Sequence, residues 1–155
     1  MLPRQIVDFL DRHDVAYEVL PHTQAYTAQA VAQMLRVKGS EFAKPVILKT
    51  ADGRLVMAVV PAPRPVDLHA ASAALGAKAE LAAEDDFAGR FAGCEIGAEP
   101  PFGNLYGLPV YVDRSLREDD AIVFNGGNHR EAIRMRYADF ERLVKPAVAE
   151  LSRAH

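Results

Sequence analysis

The chain has 155 residues, half of them apolar, enough for one domain around one sizeable core and too little for two, so a single domain over residues 1–155 is expected. Against 18 basic side chains stand 21 acidic ones, and the formal net charge of -3 excludes a broad phosphate-binding surface; DNA is not an expected partner, and any nucleic-acid contact should be local, such as a strand end. Cys94 is the only cysteine, no apolar run approaches the roughly 20 residues of a bilayer span, and the opening Met-Leu-Pro-Arg-Gln carries no signal-peptide pattern, so no internal disulfide, no membrane partner and a cytoplasmic setting are expected.

Pro3 stands at a first helical position, and Ile6, Val7, Phe9 and Leu10 come after it at helical spacing, which predicts a short helix ended by His13-Asp14. The alternating run 15–20 reads as a strand. Thr27 caps a second helix with Ala30, Val31, Met34 and Leu35 on its apolar face, and Gly39 closes it. Runs 45–50 and 54–60 form a hairpin across Ala51-Asp52-Gly53, because Asp-Gly accepts the positive φ of tight turns. Pro61, Pro63 and Pro65 make the next segment a stiff connector, since none of them can donate to a sheet ladder.

Asp67 caps a third helix ending at Gly76, and a short strand at 79–81 precedes an acidic helix start at Glu84-Asp85-Asp86, whose carboxylates suit a helix dipole better than a metal. Strands are predicted at 109–112 and 121–124. Asn125-Gly126-Gly127-Asn128 then turns the chain into a last strand, 132–135. A terminal helix beginning near Asp139 carries Phe140, Leu143, Val144, Val148 and Leu151 on one face, with Pro146 kinking or restarting it. Met34, Met57 and Phe42 are expected in the core. Successive strands joined by hairpins, with helices packed around them, make the class α+β.

Familiar catalytic templates are missing. None of the four serines stands in a G-x-S-x-G elbow, no G-K-[ST] comes after a glycine loop, and the histidines at 13, 22, 69, 129 and 155 never fall at the i, i+4 spacing of a helical zinc site. A serine hydrolase, a nucleotide hydrolase and an intrinsic metal are all disfavoured, and no cofactor is expected. The distinctive stretch is Gly97-Ala98-Glu99-Pro100-Pro101-Phe102-Gly103-Asn104. Glycine allows close backbone approach and proline stiffens the residues beside it, so such a loop can aim N–H groups at an oxyanion; alone, it reads equally as a surface connection rich in turn formers.

The order and spacing of several segments resemble a known family. His22, Thr27-Ala28, Ala43-Lys44 before a β run, Val59-Val60-Pro61, Leu75-Gly76-Ala77-Lys78, the G-x-x-x-P of Gly97 to Pro101, Pro109-Val110-Tyr111-Val112-Asp113 and Gly126-Gly127 are similar to the YbaK/EbsC group. These are free-standing relatives of the editing domain inserted in prolyl-tRNA synthetases, and the likeness spans roughly residues 15 to 145. It implies a central mixed, barrel-like sheet flanked by helices, and a trans-editing hydrolase that cleaves the ester joining a small, wrongly attached amino acid to the terminal adenosine of a tRNA. The implied partners are the acceptor end of an aminoacyl-tRNA and an aminoacyl-tRNA synthetase.

Carried over residue by residue, the family's lysine falls on Lys44 and its loop on Gly97, Ala98, Glu99, Pro100 and Pro101. Ester hydrolysis passes through a tetrahedral centre whose oxygen turns negative, and Ala98, Glu99, Phe102 or Gly103 can offer it N–H groups, whereas the prolines cannot. An ordinary lysine is cationic at neutral pH, so Lys44 is cast as an anchor for substrate phosphate or carbonyl, leaving water as nucleophile and a ribose hydroxyl as its helper. Without the resemblance Lys44 reads as a solvated strand-edge lysine. His22 and His129 are binding candidates that also read as hydrogen-bonded structural or rim residues. Gly126 and Gly127, beside Asn125, serve either a tight hairpin or the seating of the terminal nucleotide. Thr27, Pro101, Phe102 and Gly103 complete the expected binding set.

Pro45 departs from the polar residue that several members of the group carry after the lysine, which opens the question of substrate identity. Two non-enzymatic alternatives share the pattern: a binding module for a tRNA end or small ligand, and an interaction domain using the acidic 84–86 cluster and the C-terminal helix.

Overall fold

A computed structural model describes residues 1–154. Helix α1 (Arg4–Arg12) buries Ile6, Phe9 and Leu10, and strand β1 (Tyr17–Pro21) comes next. In α2 (Ala28–Leu35) the Thr27 side chain accepts the Ala30 N–H at 3.1 Å, as its cap position predicts. The helix stops at Arg36, which takes the left-handed φ of 58°, three residues before the glycine expected to close it. Strands β2 (Ala43–Thr50) and β3 (Leu55–Pro61) form the predicted hairpin in antiparallel register from Ala43↔Pro61 to Lys49↔Leu55. Asp67 caps α3 (Leu68–Leu75) by accepting the His69 and Ala70 N–H groups, and β4 (Ala79–Leu81) returns along β2.

Downstream lie β5 (Val110–Asp113), β6 (Ala121–Asn128), β7 (Glu131–Arg136), α4 (Tyr137–Val144) and β8 (Ala147–Ala149). Three expectations change here. The Asn125-Gly126-Gly127-Asn128 stretch is not the turn: it stays in β6 as a bulge, Asn125 pairing Ala132 and Asn128 pairing Glu131, and the chain reverses at His129-Arg130. Helix α4 ends at Val144 because Lys145 turns left-handed (φ 53°) and Pro146 cannot continue a helix; Val148 and Leu151 therefore belong to β8 and the segment after it. The acidic cluster opens only a single 3-10 turn, Glu84–Asp86. Of the expected core residues, Phe42 and Met57 are fully buried, whereas Met34 is 44% exposed.

Two sheets form, ordered β1-β7-β6 and β4-β2-β3-β5-β8. The second is mixed, since β3–β5 and β5–β8 run parallel. A parallel bridge between Phe42 and Val123 joins the sheets, and they do not close into a barrel. One face of this surface covers the main core, in which Phe102 meets Phe9, Phe124 and Phe140. The other face is covered by two helices. Val31 and Ala32 of α2 pack on Phe42, Val123 and Ala132, and Ala71 and Leu75 of α3 pack on Leu48, Val56 and Val60.

Candidate functional site

The 95–98 backbone is sewn to the β6 bulge. Gly127 N–H donates to the Ala98 carbonyl at 2.9 Å, and Glu95 N–H donates to the Gly127 carbonyl at 2.8 Å. Gly127 sits at φ +99°, and a Cβ there would lie 2.5 Å from Cγ of Pro3, so only glycine fits. A Cβ on Gly126 would meet Leu2 at the same distance. Both glycines thus pack against the first residues of the chain, and Gly127 holds the loop seam.

His129 lies just past the bulge and is gripped from the loop side. Its N–H donates to a Glu95 carboxylate oxygen at 2.7 Å, and its Nε2 lies 2.8 Å from the Ile96 carbonyl. A carbonyl only accepts, so Nε2 carries the proton and Nδ1 keeps a lone pair. That Nδ1 is buried without a partner among the described residues. The ring packs on Tyr26 at 4.7 Å between centroids, and a Cβ at Gly97 would lie 3.6 Å from its Cε1. His22 repeats the arrangement: Nδ1 donates to the Thr23 carbonyl at 2.7 Å and Nε2 is left buried and unpartnered. Asn125, 5% exposed, has an equally unpartnered Oδ1. Of these unpaired acceptors, Asn125 Oδ1 lies within β6, and His129 Nδ1 and His22 Nε2 lie just past the ends of β6 and β1, the two strands that flank β7; unmet hydrogen-bonding capacity there is costly unless a ligand meets it.

Within the loop, Ala98 N–H is taken by the Glu95 carbonyl at 3.1 Å, and Gly97 N–H points at the Glu99 carboxylate at 3.3 Å. Among the described residues, the N–H groups of Glu99, Phe102 and Gly103 have no protein acceptor. Pro101, Phe102 and Gly103 are buried, with the Phe102 ring in the main core, so the loop is rigid from beneath. Thr27 serves as the α2 cap.

Lys44 makes no hydrogen bond to the loop among the described residues. It pairs with Val60 across the hairpin, and its Nζ donates to the Ala62 carbonyl at 3.3 Å, an oxygen that Gln29 of α2 also reaches at 3.3 Å. Burial, with no carboxylate beside it, pushes its pKa below the usual lysine range. Its face of the sheet is set by alternation: Lys44 and Asn125 each lie two residues beyond the Phe42–Val123 bridge, on the face those residues share. The ammonium and the unpaired Asn125 amide therefore sit on one side of adjoining strands. Glu95, Tyr26 and Gln29, which position these groups, escaped the sequence reading; Glu95 carried the one visible signal, an acid two residues before Gly97.

The fold brings together loop N–H groups without acceptors, buried unpaired side-chain acceptors and a desolvated ammonium, the polar groups an ester-handling domain would use. The model of the aminoacyl-tRNA editing domain matches residues 22–143, and the chain belongs to that family. A relative from Escherichia coli (strain K12), "Multifunctional Ser/Thr-tRNA deacylase ProXp-y", is 23% identical over 154 residues, 97% of this chain and 92% of the relative. Among solved structures, the hypothetical protein APE2540 superposes with a TM-score of 0.86 at 18% identity, covering 97% of this chain and 100% of the other. A candidate trans-editing enzyme for prolyl tRNA synthetase gives 0.80 at 22% identity, covering 97% and 96%. The protein is an aminoacyl-tRNA deacylase of the editing-domain family, with aminoacyl-tRNA as its substrate. No helix among the described residues is long and apolar enough to cross a membrane.

Proposed function

We propose that residues 1–155 act as one trans-editing domain that removes serine or threonine from mischarged tRNA. The observation that carries this reading is the trio of buried acceptors, Asn125 Oδ1, His22 Nε2 and His129 Nδ1. A substrate bearing an α-ammonium and a side-chain hydroxyl supplies donors to them, and an alanyl group offers no side-chain donor for the one that would face the hydroxyl. Sites built to hydrogen-bond a hydroxyl reject the analogue without it far more strongly than an apolar pocket rejects a missing methylene. The name of the Escherichia coli relative supports the same pair of amino acids.

In this scheme the Glu99, Phe102 and Gly103 N–H groups stabilise the oxyanion, Gly97 and Ala98 shape the turn that presents them, and Lys44 holds the substrate electrostatically. Water is the nucleophile, assisted by the adjacent ribose hydroxyl. A synthetase that makes the charging error is the natural partner. The test is a deacylation panel of seryl-, threonyl-, alanyl- and cysteinyl-tRNA, run beside Lys44→Ala. Serine and threonine release that falls at least tenfold in the variant supports the reading; tRNA binding with no release of any amino acid refutes it. A substrate ending in a deoxyribose separately tests the hydroxyl's part, and undiminished turnover would remove that step.

A further inference from the structure

A second feature lies on the Lys44 face of the sheet. A groove of about 430 Å³ runs between Lys44 and Arg153, walled by Val46, Val66, Leu68 and Leu81. Arg153 belongs to a C-terminal segment, which in most chains is frayed. Here the segment is pinned: Val66 and Ser152 form an antiparallel bridge, Arg153 N–H donates to the Pro65 carbonyl at 3.0 Å, and the N–H of buried Leu151 donates to the Asp113 carboxylate at 2.8 Å. The backbone that carries the guanidinium is therefore held against the groove.

Neither cation has a carboxylate partner among the described residues. The nearby acid, Asp67, is committed to capping α3. In a chain of net charge -3, two unpaired cations across an apolar trough form a local basic site. The apolar walls are open to solvent, Leu81 at 59% and Leu68 at 36%. Lys44, which lines this groove, also shares its sheet face with Asn125.

We propose that this groove seats the single-stranded 3′ end of the tRNA, with Arg153 and Lys44 neutralising successive phosphates while sugars and base edges lie on the apolar walls. The proposal rests on the deacylase reading and adds Arg153 as a substrate-positioning residue. A chain without a basic surface needs such a point of purchase, because phosphate neutralisation supplies most of the sequence-independent affinity for a nucleic acid.

The test uses an uncharged single-stranded RNA ending in CCA, its binding monitored by fluorescence anisotropy from roughly 25 to 200 mM salt. Replacing Arg153→Gln is expected to weaken binding at low salt and to flatten the slope of log K against log salt by about 0.7, the value for one lost single-strand phosphate contact. Arg153→Lys, which keeps the charge, should restore the slope. An Arg153→Gln slope and affinity equal to wild type, or no binding by the wild type, overturns the groove. Deacylation measured in parallel separates the two readings. RNA binding that depends on Arg153 without release from any aminoacyl-tRNA sinks the hydrolase and leaves the groove, and release with an unaltered Arg153→Gln slope sinks the groove alone.

Discussion

Gly127→Ala tests whether the β6 bulge, rather than any side chain, sets the geometry of the loop. The alanine would have to keep φ near +99°, which costs a non-glycine residue about 1 to 3 kcal/mol, and its Cβ would lie 2.5 Å from Pro3 Cγ and 2.7 Å from Cδ, a rigid ring that must move. If the bulge relaxes instead, the Gly127–Ala98 and Glu95–Gly127 hydrogen bonds go, each worth roughly 0.5 to 1.5 kcal/mol net. The two routes span about 1 to 4 kcal/mol, which for a chain of this size lowers Tm by roughly 3 to 15 °C. Gly53→Ala is the control, since Gly53 has φ +85° but nothing within 4 Å of its added Cβ, so it bears backbone strain without the clash. Urea and thermal unfolding of both variants, with deacylation measured well below Tm, is the assay. Activity of Gly127→Ala should fall tenfold or more, because a displacement of about 1 Å in a positioned group can cost 100-fold. Equal destabilisation by the two substitutions, with full activity in both, would refute the reasoning.

Lys44→Met should lower kcat/KM at least tenfold while changing unfolding free energy by less than about 1 kcal/mol, because the ammonium is desolvated and Gln29 still holds the Ala62 carbonyl; a chemical melt that tracks the activity loss would contradict it. Since burial lowers the Lys44 pKa, the folded protein gives up this proton before the unfolded chain does, and wild-type stability relative to Lys44→Met should rise with pH through the interval ending at the unperturbed 10.5. Activity runs the other way, with an alkaline fall below 10.5 that Lys44→Arg, always charged, abolishes; a profile shared by both proteins excludes the ammonium from the reaction. Asn125→Leu removes an unmet acceptor, so its Tm should match or exceed wild type while the seryl-over-alanyl kcat/KM ratio falls about tenfold; an unchanged ratio would take Asn125 out of recognition.

The features legible in the chain were set by neighbours in sequence. Asp52-Gly53 specifies its hairpin, and Thr27 and Asp67 cap their helices through atoms two or three residues away. The features that stayed hidden depended on distant partners. Gly126-Gly127 has turn composition, yet the loop at 95–98 and Leu2-Pro3 recruit it as a bulge. Strand β8 is three residues long and exists because β5 offers a parallel edge, so no periodicity announces it. The same division runs through the site. Lys44 and the G-x-x-x-P loop were visible through the family pattern and His129 stood as a binding candidate beside it, but the proton on His129 Nε2 is assigned by the Ile96 carbonyl, 33 residues away. The unpaired Nδ1 that results cannot be inferred from a histidine in a string.

Pro45 shows how the departure from the family pattern fits the architecture. Phe42, just before β2, bridges Val123 of β6, and β2 is bonded on its β4 side from the Ile47 carbonyl, which accepts the Ala82 N–H at 3.0 Å, so this edge carries no ladder over residues 43–46. Proline, with no N–H to give, falls in that interval and keeps its place opposite Val59, which preserves the Lys44↔Val60 pair and the face on which the ammonium lies. The sheet therefore tolerates proline here, and under the proposed function its consequence falls on recognition: a polar residue would offer a backbone donor and a side chain, and proline offers neither. In the proposed scheme the polar contacts that distinguish one acyl group from another come instead from Asn125 and His129, whose acceptors have no partner among the described residues.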